Sequence, residues 1–237
     1  MIKAVFFDFY NTLVRFWPPA ADIQETACQE LGLSVKKEAV RQAYIEADQF
    51  FNKENGTVPI FSRSIEERRR FFARYEQLIL KGSGLDVSLE KASQIWDRVD
   101  HAPKDLSLFD DVLPTLKSLG KRGTIVGVLS NIRRNMNDIS QKIGLAPYLK
   151  FCITSAEVGA EKPHAPMFQA ALSRAQVKPE EAIHVGDQYQ SDVLGAKSVG
   201  IIPVLLDRDG SYQLTSDCIK IDNLLVLDSV LDDQDVI

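Results

Sequence analysis

Cysteine is scarce in this chain. Three are present, Cys28, Cys152 and Cys218, far apart and with no CxxC pair. That spacing argues against a disulfide framework or a zinc ligand set and reads as free or buried thiols in a reducing compartment. No apolar run approaches the roughly 20 residues that a membrane span needs. The opening MIKAVFF runs straight into Asp8, which is too short an apolar stretch for a signal peptide, so the expected location is cytoplasmic. Positive charge is not in excess either. A net charge of −5 argues against a broad surface for nucleic acid or anionic membrane, though it leaves room for a local positive pocket. Internal repeats and low-complexity linkers are missing. What remains is a 237-residue chain, 45% apolar, long enough for one domain with a large insertion or for two small ones.

The apolar residues change rhythm along the chain. IKAVFF at 2–7 is β-branched and aromatic and reads as a buried strand ending at Asp8. From about Trp17 to about Pro103 the period becomes helical: Val40, Tyr44, Ala47 and Phe50, then Phe71, Phe72, Tyr75, Leu78 and Ile79, then Leu89, Ala92, Ile95, Trp96 and Val99. This predicts an all-helical insertion of about four helices. A βα alternation follows, with strands at 124–130, 151–155, 182–186 and 201–206 and a candidate last one at 218–221. Helices are expected over Asp110–Leu119 with Asp110 or Asp111 as cap, and over Arg133–Ile143, His164–Ala175 and Ser191–Val199, and the acidic tail from Asp228 is expected to fray. The fold class is therefore α/β: a doubly wound, Rossmann-like parallel sheet from residues 1–16 and 104–237, with an inserted helical domain over 17–103.

In open parallel sheets, ligands bind beyond the carboxyl ends of the strands. Asp8 follows the first strand, with Tyr10, Asn11 and Thr12 close behind. Ser130-Asn131 follows the second, Lys162-Pro163 comes just past the third, and Gly186-Asp187 follows the fourth, with Asp192 five residues on. Singly, each has an ordinary explanation as a turn, a helix cap or a solvated lysine. Together they bring carboxylates, a hydroxyl and an ammonium to one sheet edge, which fold stability alone does not require.

The segments DFYNTLV, VLSN, EKPHAPMF and HVGDQYQSD, in that order, resemble the four motifs of the haloacid dehalogenase superfamily. The likeness covers about residues 1–14 and 104–226, and the helical insertion resembles that superfamily's first type of cap, which closes over the core and decides the substrate. The resemblance implies that Asp8 attacks the substrate and forms a covalent aspartyl intermediate. It implies that Ser130, with the backbone amide of Asn131, binds the transferring group, that Lys162 neutralises charge, and that Thr12 steadies the loop. Mg²⁺ would be held by Asp8, the Tyr10 carbonyl and Asp187, with Asp192 holding a water on that ion or Lys162. The implied partner is a small anionic substrate, with no nucleic acid and no membrane, and the chain acting as a monomer or homodimer. The chemistry is sound on its own terms. A carboxylate approaching a phosphate at about 4 Å is repelled by about 1 kcal/mol in water and about 4 kcal/mol at an effective dielectric near 20. A shared divalent cation and a lysine remove that obstacle.

One position departs from the pattern. Phosphatases of this superfamily carry a second Asp two residues after the nucleophile, as acid toward the leaving group and base toward water; here that residue is Tyr10. A phenol of pKa about 10 is a poor proton shuttle at neutral pH. Three readings stay open. The first is a Mg²⁺-dependent phosphohydrolase whose leaving group needs little protonation or whose donor comes from the cap. The second is a 2-haloacid dehalogenase, since such enzymes resemble this chain in having Tyr there, with Arg41 about where they place a halide-binding arginine. Gly186-Asp187 speaks against it, because those enzymes need no metal. The third is a non-catalytic protein that keeps the fold to bind a ligand or partner. Of the remaining polar residues, His184 is expected to be a packed histidine within a strand, and Arg133 and Arg134 to add positive potential near the site.

Overall fold

The structure, a computed structural model, describes residues 1–132, 134–212 and 217–234, with Phe61 and Gln234 described by backbone alone. Arg133 lies outside the described residues, as does the end of the acidic tail from 235 onward. In chain order the elements are β1 (Ala4–Phe7), β2 (Val14–Trp17), α1 (Ala20–Gln29), α2 (Lys37–Thr57), α3 (Ile65–Gly82) and α4 (Leu89–His101). Next come β3 (Asp105–Leu108), α5 (Val112–Lys121), β4 (Ile125–Ser130), α6 (Met136–Lys142), β5 (Phe151–Thr154), α7 (Ser155–Val158) and α8 (Ala165–Ala175). The chain then runs through β6 (Ala182–Gly186), a π-helical turn (Tyr189–Val193), α9 (Leu194–Ser198), β7 (Ile202–Leu206), β8 (Ile219–Ile221) and α10 (Leu227–Gln234). It divides into two compact units, Met1–Arg15 with Ser107–Ile237, and Phe16–Leu106.

The first unit is built on a six-stranded sheet in the order β5-β4-β1-β6-β7-β8. Every described pairing in it is parallel, and helices flank it, as expected of a Rossmann-like α/β fold. The central strand β1 is fully buried at all four positions, which explains its unbroken AVFF run: a strand covered on both faces cannot alternate with polar residues. Full burial of Phe6 and Phe7 contributes about 1.5–3 kcal/mol each. The strand order reverses at β1/β6, where Phe7 lies in register with Val185. That register brings the residues after β1 and those after β6 to the same edge.

The second unit contains α1 to α4. Ser64 and Glu67 form a reciprocal capping box at the start of α3, and Ser88 caps α4. The core is aromatic, with Phe50 stacked on Phe71 at 5.4 Å and Phe72 on Trp96 at 4.6 Å between ring centroids. It also encloses polar groups. Gln24 and Glu76 are fully buried, and Gln24 Nε2 donates to Glu76 Oε1 at 2.5 Å. Among the described residues, no helix is long and apolar enough to cross a membrane.

Four features differ from the sequence reading. β2 and β3 pair as a separate two-stranded sheet where the chain passes between the units, and neither strand was expected. Asp111 does not cap α5 with its side chain; its carboxylate accepts from Arg208 and from the Leu224 amide instead. The segment expected as one helix from Ser191 begins as the π-helical turn and ends as the short α9. Finally, Leu227–Gln234 is helical rather than frayed. Leu227 and Leu231 are buried, and Arg122 pairs with Asp228 and Asp232, so the acids face a cation.

Candidate active site

The segments that follow β1, β4, β5 and β6 supply the candidate site, Lys162 coming after the short α7. Asp8 leaves β1 with its amide bonded to the Val185 carbonyl at 2.8 Å, which ties the loop after β1 to β6. The loop turns back on itself: Leu13 N donates to Phe9 O at 2.9 Å, and Asn11 takes a positive φ of 59°. Asn suits that left-handed conformation better than most residues. Thr12 is fully buried, and its hydroxyl donates to Asp187 Oδ1 at 3.5 Å.

Lys162 is the hub. Its side chain is 2% exposed, and Nζ donates to Asp8 Oδ1 at 2.5 Å and to Asp192 Oδ1 at 2.7 Å. Burial works against the Lys162 ammonium, but Asp192 and Asp8 together outweigh it and hold the group above the usual lysine range. Burial likewise opposes a charged Asp192, yet Lys162 and His184 outweigh it and hold this carboxyl well below the ordinary carboxylate range. Asp8 goes the other way. Burial raises it to about 6, with Lys162 opposing and Asp192 reinforcing the rise. The three groups form a tight set in which Asp192 and Lys162 are firmly charged and Asp8 is the basic, less committed carboxylate.

Ligand oxygens of Asp8, Asp187 and Asp192 lie within 4.8 Å of one another. An all-carboxylate set of this size suits a hard, oxygen-seeking divalent ion such as Mg²⁺ and does not suit soft thiolate-seeking metals. Asp192 is already engaged at both oxygens, Oδ1 by Lys162 and His184 and Oδ2 by the Gln188 amide at 3.1 Å. Gly186 makes that placement possible, because a Cβ there would sit 2.2 Å from Asp192 Cγ.

The other residues expected at the site make contacts with protein groups. Ser130 is 2% exposed, and its hydroxyl oxygen accepts from the Ile132 amide at 3.3 Å. Asn131 braces the backbone of Lys162: its Oδ1 accepts from Lys162 N at 2.7 Å, and its Nδ2 donates to Lys162 O at 3.1 Å. Both ends of the amide are thus used on protein. Tyr10 packs edge-on against Phe9 at 5.1 Å. Burial lifts its phenol above the ordinary tyrosine range, with Arg134 opposing and Asp8 adding, so it is protonated throughout the physiological range. Arg41 belongs to the other unit, exposed on α2 and paired with Glu38 at 2.8 Å.

Sequence reasoning missed the role of His184. Its ring is buried and meets Phe168 at 5.1 Å, and its Nε2 lies 2.9 Å from Asp192 Oδ1. Burial lowers its pKa, so the neutral ring donates through Nε2 to Asp192 and leaves Nδ1 without a partner among the described residues. The available signal was position: His184 sits in β6, three residues before Asp187.

Comparison with known proteins bears on this site. A family model described as haloacid dehalogenase-like hydrolase matches residues 2–200. A ribulose-1,5-bisphosphate 5-phosphatase of Halopiger xanaduensis is 28% identical over 212 residues, covering 87% of this chain and 85% of that protein. A glyceraldehyde 3-phosphate phosphatase of Methanopyrus kandleri is 30% identical over 218 residues, covering 90% and 87%. Among solved structures, a 2-haloacid dehalogenase from Pseudomonas syringae pv. Tomato DC3000 is 26% identical with a TM-score of 0.60, covering 98% of this chain and 99% of that one.

Proposed function

Because this chain belongs to the haloacid dehalogenase-like hydrolases, a family of enzymes, we propose that it is a Mg²⁺-dependent phosphatase of small phosphorylated metabolites, with Asp8 as nucleophile. The observation that carries this reading is the convergence of Asp8, Lys162 and Asp187 at the β1/β6 edge. The phosphatases among its relatives support the substrate class. Asp8 and Asp187, with the Tyr10 carbonyl, would hold the ion. When bound, it neutralises charge shared between carboxylate and phosphate and orients the two for in-line attack. The helical unit would serve as the cap that selects the substrate.

The chain's own residues do the rest. Asp8 attacks phosphorus through a carboxylate oxygen; that bond forms as the bond to the leaving oxygen breaks, and the alkoxide takes its proton from solvent water. Lys162 steadies the carboxylate at the same time and offsets the charge of the phosphoryl group. The Ser130 hydroxyl donates to a phosphoryl oxygen. Asp192, fixed by His184 and Gln188, keeps Lys162 aimed at Asp8 and does not touch the substrate. Water then attacks phosphorus as the bond between phosphorus and the Asp8 oxygen breaks; the water's protons leave with the inorganic phosphate, and the Asp8 carboxylate is restored. Tyr10 supplies no mobile proton, so esters with good leaving groups are the favoured substrates.

A dehalogenase reading has two points in its favour: Tyr10, since halide departs without a proton, and the likeness to a solved 2-haloacid dehalogenase. It leaves Asp187 beside Asp8 with no task. A panel of phosphorylated metabolites and 2-haloacids, assayed with Mg²⁺ and with EDTA, separates the two. Phosphate release that depends on Mg²⁺ supports the proposal, and halide release at full rate in EDTA rejects it.

A further inference from the structure

We propose that Arg208, which lies outside the four motifs, is a positioning residue that holds the nucleophile loop in its working shape; this rests on the phosphatase reading above. The loop closes on itself through Asn11 N to Val14 O at 2.7 Å, Leu13 N to Phe9 O at 2.9 Å and Val14 N to Phe9 O at 3.1 Å. The Thr12 and Leu13 carbonyls take no part in these bonds, and each accepts from a donor outside the loop. Phe109 N donates to Leu13 O at 3.2 Å, and Arg208 Nη2 donates to Thr12 O at 2.9 Å. Thr12 is the residue whose hydroxyl reaches Asp187. A shift of its backbone therefore moves one acid-bearing loop relative to the other.

Arg208 is itself tightly determined. Its guanidinium forks onto Asp111, Nη1 to Oδ2 at 2.7 Å and Nη2 to Oδ1 at 3.0 Å, and lies 4.0 Å from the centroid of the Phe109 ring. Asp111 is fixed in turn by the Leu224 amide at 2.8 Å. The two side chains are only 16% and 9% exposed, so little solvent screens the pair. Asp111 cancels the charge of Arg208, which therefore acts through geometry rather than through its field. Arginine is suited to this because one planar head can grip a carboxylate with two parallel bonds and still offer an N–H to a carbonyl; an ammonium lacks that rigid fork. The Phe109 ring also takes the guanidinium of Arg15, 5.1 Å from its centroid.

The test uses the full chain with p-nitrophenyl phosphate and saturating Mg²⁺, together with hydrogen exchange of the 9–14 segment in metal-free protein. Arg208→Met should lower kcat on the order of 10²-fold while KM, set by groups that Arg208 does not touch, stays within about twofold. Arg208→Lys should fall in between. Exchange of the 9–14 amides should accelerate while those of β1 do not. Arg122→Met, which breaks an Arg–Asp pair on the surface of the same unit, should leave kcat unchanged. An Arg208→Met protein with wild-type kcat, or with unchanged exchange in the loop, overturns the proposal. If the wild-type protein hydrolyses no phosphate ester, the phosphatase reading fails, and exchange alone decides whether Arg208 holds the loop. Should Arg208→Met not fold, Asp111→Asn carries the same comparison.

Discussion

Replacing Lys162 with Met removes a buried ammonium from between two carboxylates and keeps its apolar stem, so the consequence can be worked from the geometry. Nζ lies 2.5 Å from Asp8 Oδ1 and 2.7 Å from Asp192 Oδ1. Without it, oxygens of the two acids within 4.8 Å of each other face one another uncompensated. At an effective dielectric near 20, their repulsion is about 3 kcal/mol. Stranding a buried charge by deleting its partner costs about 3–5 kcal/mol by comparison with other proteins. The protein can escape part of this by protonating a carboxyl, which makes the cost depend on pH. In the wild type, Asp192 is held below its unfolded value. It contributes stability that is present above the unfolded pKa, about 3.9, and is lost only in strong acid. Asp8, already raised to about 6, makes the wild type give up some stability as pH rises from about 4 to about 6. In the variant both acids rise further, so the folded state binds more protons still and stability falls more steeply as pH rises. The gap between the two proteins therefore widens from pH 4 to pH 8, reaching about 3–5 kcal/mol at the upper end. Urea denaturation in EDTA, which keeps any divalent ion from substituting for the ammonium, measures it. A gap at pH 8 no larger than at pH 4 would refute the reasoning.

Three other substitutions test separate parts of the molecule. Glu76 is fully buried, with Oε2 lacking a partner among the described residues, and burial raises it to about 7 against the hydrogen bond from Gln24. Its folded pKa exceeds its unfolded one, so its contribution falls as pH rises from about 4 to about 7; Glu76→Gln should gain on the wild type over that window by up to about 3 kcal/mol. Fluorescence reads this directly, because both tryptophans, Trp17 and Trp96, lie in the helical unit. Gly186→Ala would force a methyl onto Asp192 and should lower kcat on the order of tenfold or more by shifting Lys162; an unchanged kcat would show that the close packing is not needed. Tyr10→Asp restores a carboxyl able to carry a proton and should raise kcat for sugar phosphates more than for aryl phosphates, on the order of 10²-fold at most. Equal gains on both would count against a missing proton donor.

How much of this was legible in the sequence follows from what each feature depends on. β1, β4 and β6 are buried on both faces, so their apolar runs announce them. That Asp8, Ser130, Lys162 and Asp187 end or follow strands of one sheet was legible, because a parallel sheet delivers the loops after its strands to one edge. β2 and β3 are four residues each, mixed in exposure, and pair across the whole helical insertion; no local rhythm reports such a pairing. The same holds for Asp111 with Arg208, Asn131 with Lys162 and His184 with Asp192. Each residue looks locally like a cap, a turn or a core histidine, and only the fold reveals its partner. The tail from Asp228 was expected to fray because it is acidic; Arg122, more than a hundred residues away in sequence, pairs with Asp228 and Asp232, and no local rhythm reports that contact.

The claim that Asp8 forms a bond to the substrate's phosphorus is tested most directly by mass spectrometry of the peptide containing Asp8, from enzyme quenched in acid during turnover of a phosphate ester with Mg²⁺. The expected result is one added phosphoryl group on that peptide, absent in EDTA and absent in Asp8→Asn. Continued phosphate release by Asp8→Asn at the wild-type rate, with the peptide never modified, would contradict it.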